Sequence, residues 1–324
     1  MRPARIRLLV GLLAALGTLF AAGCGEQRTP IRVFAADALA TSFHAIKYEF
    51  ERRHPDSEVL LDVQGSIMLT RLAPLRRGDV LAVADHRLIE KMLSPKHATW
   101  VAQFAGTEVV LAAQASSSRR AEIRPDNWFD ILLDPKIRFG YADPAQDPCG
   151  YYTRIAWALA EKHYFTSRGP SRPLAMELAE RCPREHVAID ALNLISAYLN
   201  MARVDYAFVY RVHAVDHRLP YTPLPKEISL GDRSLASHYG SVQVLVPNYR
   251  GGTESMSGAP IAFGITVLQD APNSKGAEAF VRFVLSKDGQ DILGRSGFQP
   301  IQPAVVPKWG AVPDFLADVA IPEK

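Results

Sequence analysis

His213 and His217 are the residues whose type and spacing most directly suggest chemistry. They stand in the run His213-Ala-Val-Asp216-His217, and an i, i+4 spacing puts both imidazoles on one face if the segment is helical. Such a pair could bind zinc, but a zinc site needs further ligands, and none has a telling spacing. We therefore interpret the segment as a solvated helix face and predict no metal site.

Motifs for catalysis are missing from the sequence. It contains no G-x-x-x-x-G-K-[ST], no G-x-G-x-x-G after the first predicted strand, no H-E-x-x-H and no G-x-S-x-G. We therefore predict that the protein is not an enzyme and uses no cofactor.

Alternating strands and helices would have to position any site. Periodicity predicts strands at 31–35, 59–63, 79–83, 107–113, 139–142, 206–210 and 261–268. It predicts helices at 41–54, 67–75, 149–163, 187–201 and 276–286. The polar stretch 115–120 is a plausible crossing between lobes. This alternation predicts an α/β fold with two lobes, each built on a mixed, largely parallel sheet.

Length and composition agree with a globular protein of two domains. The chain has 324 residues, of which 48% are hydrophobic and 22% are charged. That is too much apolar content for a disordered chain, and Gly and Pro show no periodicity that would indicate a fibrous one.

The first 23 residues have the features of an export signal. Arg2, Arg5 and Arg7 precede an uncharged apolar stretch at 8–20, and small residues lead to Cys24. A Cys in this place resembles the lipobox of bacterial lipoproteins, in which the thiol is acylated; the alternative is an ordinary signal peptide followed by a chance Cys. Either reading places the protein outside the cytoplasm. No later apolar run approaches the roughly 20 residues of a membrane-spanning helix.

Charge and cysteine content set two further expectations. The formal net charge of +3 includes the three signal arginines, so the chain after residue 23 is formally neutral. Neutrality gives no electrostatic case for binding nucleic acid. Cys149 and Cys182 remain in a compartment that permits disulfides, and we expect them to pair, the alternative being two buried thiols.

Several blocks in chain order resemble the tungstate/molybdate-binding proteins of ABC importers. The most specific is Asp143-Pro-Ala-Gln-Asp147-Pro-Cys-Gly-Tyr151. The other blocks are Val33-Phe-Ala-Ala36, Gly65-Ser66, Asp79-Val-Leu-Ala-Val-Ala-Asp85, Asn127-Trp128, Asp205-Tyr-Ala-Phe-Val-Tyr-Arg211, Gly231-Asp232 and Ile261-Ala-Phe-Gly-Ile-Thr-Val267. The resemblance spans about residues 31–302.

The resemblance implies a type 2 periplasmic-binding fold with two crossovers. We expect a signal peptide at 1–23, a linker at 24–30, a first lobe at 31–113 plus 245–312, a second lobe at 114–244 and a tail at 313–324. It also implies a monomeric, lipid-anchored extracytoplasmic protein that binds tungstate or molybdate between its lobes and delivers it to an ABC permease and ATPase.

Ligand-binding residues follow from the same resemblance. A tetraoxo dianion is best held by backbone N–H groups at helix starts, with hydroxyl groups as further donors. The candidates are Asp37, Ala38, Ser66, Thr107, Asp147, Val209 and Tyr210. Three of them also have a simpler interpretation: Ser66 and Asp147 as helix N-caps, and Tyr210 as an aromatic residue at the edge of the core. Asp85 and His86 could line the cleft mouth, although we expect them to be solvated.

Two departures from the family pattern bear on the ligand. Asp37-Ala38 stands where the family tends to read Gly-Ser, and Val209 stands where it carries a Glu that helps complete an octahedral metal centre. Tyr210 could substitute, as in tetrahedral molybdate binders. Asp37 would either project into the cleft or occupy amides that the anion needs. The alternatives are therefore a divalent metal or organic cation as ligand, or a sensor or scaffold lipoprotein that has lost transport.

Overall fold

Two β-sheets organise the residues that the computed structural model describes, which are 29–166, 173–248 and 250–324. The predicted signal peptide and Cys24 lie outside these residues. The strands are β1 (Ile31–Ala36), β2 (Val59–Gln64), β3 (Val80–Val83), β4 (Ala102–Gly106), β5 (Val109–Ala113), β6 (Phe139–Ala142), β7 (Val187–Ala188), β8 (Tyr206–Tyr210), β9 (Tyr221–Pro223), β10 (Gln243–Pro247), β11 (Thr253–Ser257), β12 (Ala262–Val267), β13 (Gln299–Val306) and β14 (Ala320–Pro322).

Helices connect most of these strands. They are α1 (Ala40–Arg53), α2 (Ser66–Leu75), α3 (Arg87–Leu93), α4 (Trp128–Leu132), α5 (Pro148–Glu161), α6 (Leu174–Arg181), α7 (Ala191–Asn193), α8 (Arg211–Asp216), α9 (Lys226–Ser229), α10 (Ala236–Tyr239), α11 (Ser274–Leu285) and α12 (Lys287–Arg295). A 3₁₀ turn at Asp37–Leu39 leads into α1, and a π-helical turn at Leu194–Leu199 extends α7. The long helix expected at 187–201 is therefore a short strand followed by this composite helix.

Both sheets are mixed. The first has the order β14-β13-β4-β12-β3-β1-β2, with β1 parallel to β2 and β3, and β12 antiparallel to β3 and β4. The second has the order β7-β6-β8-β5-β9, with β6 parallel to β8 and β5 antiparallel to β8. We refer to the first sheet with its helices as the first lobe and to the second as the second lobe.

The chain passes between the lobes at two points. Thr107 and Glu108 link β4 of the first sheet to β5 of the second, and residues 258–261 link the β10–β11 hairpin back to β12. The crossing is therefore at 107–108 rather than at 115–120. This corrects the expected boundary, because β5 belongs to the second lobe, and so does the hairpin at 243–257, which packs on α5.

Aromatic side chains fill the core of each lobe. In the first, Phe50 of α1 packs edge-on against Phe280 of α11, with ring centroids 5.3 Å apart. In the second, Trp157 of α5 packs edge-on against Phe208 of β8 at 5.5 Å. Burying one such ring contributes about 1.5–3 kcal/mol, so the facing helices are held firmly on their sheets.

The start of α5 is positioned by its own sequence. Asp147 caps the helix, Pro148 occupies its first position, and Gly150 allows it to approach β6. A Cβ at Gly150 would lie 2.2 Å from the carbonyl oxygen of Ala142, so no other residue fits without a backbone shift. No helix within the described ranges is both long and apolar enough to cross a membrane.

Candidate functional site

Asp37 reaches from the first lobe to the second. It follows β1 directly, and its Oδ1 accepts a hydrogen bond of 2.9 Å from the N–H of Ala38. Its Oδ2 accepts one of 3.3 Å from the N–H of Leu192 and lies 3.6 Å from Nε2 of His213. Asp37 thus does both things that its sequence position suggested: it occupies an amide of its own helical turn and it projects into the cleft. We refer to Asp37, Leu192 and His213 as the Asp37 contact.

Asp147 lies close by and uses both carboxylate oxygens on backbone amides. Its Oδ1 accepts from the N–H of Cys149 at 2.8 Å, and its Oδ2 accepts from the N–H of Ala191 at 2.9 Å. Burial raises the pKa of this carboxyl to about 8, and the negative charge of Asp37 adds to the rise. Asp147 is therefore the expected N-cap, and it also fixes α7 against α5.

Several buried polar atoms of the second lobe lack a hydrogen-bond partner among the described residues. They include the hydroxyl of Tyr210 and both ring nitrogens of His213. The two rings are stacked, with centroids 5.7 Å apart and planes within 5°. Buried polar groups are rarely left unpaired, and those that are call for an explanation such as a ligand. The hydroxyl of Thr107, at the crossing between the lobes, is in the same condition.

Two opposing effects set the ionisation of His213. Burial lowers the pKa of the imidazole, but the carboxylates of Asp37 and Asp147 more than offset this, so its pKa lies above the ordinary value of 6.5. With only 3% of its side chain exposed, His213 is not on a solvated helix face as the sequence suggested. The neighbouring Asp37 carboxylate therefore favours the cationic form of the imidazole.

Three other candidate residues, Ser66, Val209 and Ala38, contribute in different ways. The hydroxyl of Ser66 accepts a hydrogen bond of 3.0 Å from the N–H of Ala84. Ser66 is the first residue of α2 and does not cap it, because the N-cap position is Gly65. Val209 is fully buried in an aliphatic cluster of the second lobe and supplies no polar atom. Ala38 contributes only its backbone N–H.

A second contact between the lobes involves Asp85, which the sequence suggested was solvated. Its side chain is fully buried and forms a bidentate ion pair with Arg87, at 3.0 and 2.7 Å. Tyr151 donates to Asp85 at 2.7 Å, and Arg87 donates to Tyr152 at 3.0 Å. Although burial acts in the opposite direction, the Arg87 guanidinium holds the pKa of Asp85 well below its ordinary range. We refer to these four residues as the Asp85 contact.

A cavity of about 180 Å³ opens beside the Asp37 contact. Its lining comes from both lobes and includes Asp37, Gly65, Gln146, Asp190 and Leu192. The lobes approach closely here, since a Cβ at Gly65 would lie 3.3 Å from the carbonyl oxygen of Gln146. The cavity gives a small solute a path to the Asp37 carboxylate.

The expected disulfide is absent. Cys149 and Cys182 are both free and buried, and each thiol faces a strand carbonyl: Phe208 for Cys149 and Phe139 for Cys182. Burial raises the pKa of the Cys182 thiol to about 12. The expectation of a bridge is wrong, because the thiols belong to different packing contacts on the second sheet.

Within the described residues, no group of three or more His, Cys, Asp or Glu side chains is arranged to hold a metal ion. The buried residue of the cleft that the sequence assigned wrongly is His213. The signal was present, because α8 follows β8 without a loop and its first turn therefore meets the same cleft as Tyr210.

Comparison with known families and structures assigns the chain to a class. Residues 31–299 match the family model described as bacterial extracellular solute-binding protein. The chain belongs to this family. Its members are transport binding proteins and not enzymes, which confirms the prediction made from the missing catalytic motifs.

Relatives of this solute-binding protein cover nearly all of it. An uncharacterized solute-binding protein of Petrotoga mobilis is 35% identical over 276 residues, 84% of each chain. The molybdate/tungstate-binding protein WtpA of Thermococcus kodakarensis is 30% identical over 356 aligned positions, covering 98% of this chain and 96% of the relative. The resemblance recognised in the sequence is confirmed.

A solved structure confirms the fold. The periplasmic molybdate-binding protein of Azotobacter vinelandii is 14% identical, with a TM-score of 0.59 over 84% of this chain and 100% of that one. The type 2 periplasmic-binding fold predicted from the sequence is therefore correct.

Proposed function

We propose that this solute-binding protein captures tungstate or molybdate in the cleft between its lobes and delivers it to an ABC importer. The observation that carries the proposal is the set of buried donors around the Asp37 contact. Among the described residues, the hydroxyl of Tyr210 and the ring nitrogens of His213 have no hydrogen-bond partner, and the adjacent amides of Ala38 and Leu192 donate to the carboxylate oxygens of Asp37. Donors of this kind match the oxygens of a small oxyanion.

A tetrahedral oxyanion fits this donor set better than an octahedral centre. The octahedral arrangement would need a carboxylate at residue 209, where Val209 packs among aliphatic side chains. A tetrahedral anion needs donors only, and Tyr210 supplies a hydroxyl from the adjacent position of the same strand. The WtpA relative, named for both anions, supports this ligand class.

The carboxylates of the cleft are compatible with an anion because their charge is balanced. Asp37 faces the imidazole of His213, whose raised pKa favours the cationic form. Burial and the charge of Asp37 raise the pKa of Asp147 to about 8, which favours its neutral form. Burying a dianion beside two unpaired carboxylates would cost several kcal/mol, and these two features remove most of that cost.

Delivery would use closure of the lobes around the two crossings. Residues 107–108 and 258–261 are the connections between the sheets, so a rotation there separates Asp37 from Leu192 and His213. A ligand that contacts both lobes stabilises the closed state by its differential contacts.

Isothermal titration tests the ligand. We expect the purified protein to bind tungstate and molybdate with micromolar or tighter affinity and sulfate and phosphate more weakly. A thermal-shift series with divalent metals runs alongside, because two cleft carboxylates would also suit a cation. A shift with a metal and no heat with any oxyanion would replace the proposal with the cation alternative. No response to any solute would favour a sensor or scaffold.

We further propose that the protein is held at the membrane by a lipid on Cys24. The support is the basic, apolar and small-residue sequence that precedes this Cys. Labelling with a fatty-acid analogue in a bacterial host should mark the protein, and Cys24→Ser should abolish the label. Release of unlabelled protein from wild-type cells would show an ordinary signal peptide instead.

A further inference from the structure

We propose that Asp37 is an internal competitor for the oxyanion, and that binding exchanges its carboxylate for the ligand with uptake of a proton by the groups around His213. This inference rests on the proposed function and adds a specificity-determining pair, Asp37 and His213. The pair controls whether a solute can reach backbone donors that Asp37 already occupies.

The geometry of Asp37 supports this competition. A carboxylate and an oxyanion both present negatively charged oxygens to N–H donors, so they compete for the same amides. One oxygen of Asp37 takes the N–H of Ala38, and the other takes the N–H of Leu192 and faces His213. Asp37 is 5% exposed and His213 3%, so the contact is desolvated. A solute that needs these donors must displace the carboxylate.

The position of the His213 ring supports the exchange as well. It lies flat against the ring of Tyr210, and neither nitrogen has a hydrogen-bond partner within the described residues. Its nearest charge is the Asp37 carboxylate at 3.6 Å. If that carboxylate leaves, the imidazole is free to donate to the incoming oxyanion, and the neighbouring hydroxyl of Tyr210 can donate as well.

The charges around His213 account for the uptake of a proton. The titratable groups around His213 come from several elements: Asp37 after β1, Asp147 before α5, Asp190 before α7, Tyr210 on β8, and Asp216 and His217 on α8 itself. Most of these are carboxylates. Adding a dianion to such a site favours any neighbouring group that can hold a proton.

The direction in which affinity changes with pH follows from the raised pKa values of His213 and Asp147. The pKa of His213 is raised by the nearby carboxylates and that of Asp147 is raised to about 8, so both groups keep their protons to higher pH than in the unfolded chain. A bound dianion stabilises their protonated forms, and the proton comes from solvent. Binding should therefore take up protons, and affinity should fall as pH rises from about 6 to 9.

Calorimetry with molybdate tests both the competition by Asp37 and the uptake of protons. Titrations in two buffers of different ionisation enthalpy count the protons, and we expect uptake approaching one per site near pH 8 in the wild-type protein. Asp37→Asn and Asp37→Gly remove the competing charge in two different ways, and each should bind molybdate about tenfold more tightly. His213→Gln should take up fewer protons and show a flatter pH profile. The matched control Asp318→Asn alters an exposed carboxylate and should match the wild type.

Each result bears on a different claim. If both Asp37 variants bind within about twofold of Asp318→Asn, Asp37 is not a competitor. If the wild-type protein takes up no proton, or His213→Gln takes up as many, the proton coupling is wrong. In both cases molybdate binding itself, and so the proposed function, stands. If no variant binds molybdate at any pH, the proposed function fails and this inference with it. Thermal unfolding of each variant establishes that it is folded.

Discussion

Two of the contacts between the lobes each centre on a buried aspartate but differ in how completely their polar atoms are hydrogen-bonded. In the Asp85 contact, Arg87 donates to both oxygens of Asp85, and two tyrosine hydroxyls complete the network. In the Asp37 contact, the carboxylate and imidazole lie 3.6 Å apart, and both ring nitrogens and the adjacent Tyr210 hydroxyl lack hydrogen bonds to the part of the chain that the structure describes. A satisfied network holds structure, whereas unsatisfied donors are available to a solute.

The largest expected effect is on stability and comes from breaking the Asp85 contact. Asp85→Ala leaves the Arg87 guanidinium largely buried without its carboxylate, which costs about 3–5 kcal/mol. Denaturant unfolding should show this loss, whereas Asp37→Asn should lose far less. Equal losses in the two variants would remove the distinction between the contacts.

A matched pair of tyrosines separates binding from stability. Tyr151→Phe removes a hydrogen bond to a buried carboxylate and should lower the free energy of unfolding by about 1.5–3 kcal/mol. Tyr210→Phe removes a hydroxyl that makes no hydrogen bond to any described residue, so stability should be unchanged or slightly higher. Its affinity for molybdate, measured by calorimetry, should fall about tenfold. Unchanged affinity in Tyr210→Phe would take this hydroxyl out of the site.

The pH dependence of stability should come from the cleft and not from the Asp85 contact. The pKa of Asp147 is raised from 3.8 to about 8 and that of His213 is raised from 6.5, so the folded protein holds more protons than the unfolded chain. Stability from these groups is complete below their unfolded values and is lost as pH rises through the folded ones. The free energy of unfolding should therefore fall steadily as pH rises from 5 to 8.

Asp147→Asn isolates this effect. Asn cannot ionise, so the decline between about pH 5 and 8 should be smaller in the variant. Asp85, whose pKa is lowered, loses its stabilising charge only as pH falls below its ordinary 3.8, outside this window. A wild-type protein of constant stability from pH 5 to 8, or a variant with the same decline, would contradict the assignment.

The smallest effect is expected at a third contact between the lobes. Lys91 of α3 pairs with Glu254 of β11, with the lysine side chain 51% exposed. An exposed pair contributes about 0–1 kcal/mol and is weakened by salt. Lys91→Ala should therefore change neither stability nor molybdate affinity by more than this, as measured by the same unfolding and titration experiments. A larger loss would mean that exposed pairs also hold the lobes together.

Much of the fold was predictable because local patterns and the fold agree. The strands at β1, β2, β3 and β8 and the helix α5 follow from apolar periodicity and from the Asp147-Pro148 cap. The crossing was misplaced at 115–120 because composition indicates a loop but not which sheet the preceding strand joins. The β5 strand pairs with β8, and only long-range pairing determines this.

The candidate site was predictable in its location but not in its contacts. Asp147 and Tyr210 were identified from motifs at strand and helix ends, which any fold of this class brings to the cleft. His213 was assigned to a solvated face because the i, i+4 histidine spacing says nothing about which face is buried. Asp85 was assigned to a solvated loop because the tyrosines of its network, Tyr151 and Tyr152, lie on the other lobe. Local sequence does not determine which residues pair across the lobes.

The most direct test of the central claim is to locate the ligand. A crystal grown with tungstate, measured at an X-ray energy where tungsten scatters anomalously, gives the position of the metal atom independently of any binding model. We predict one strong peak in the cleft, next to His213 and Tyr210, with the Asp37 carboxylate moved away from Leu192. A peak only at the protein surface, or an unmoved Asp37 with no peak in the cleft, would contradict the account.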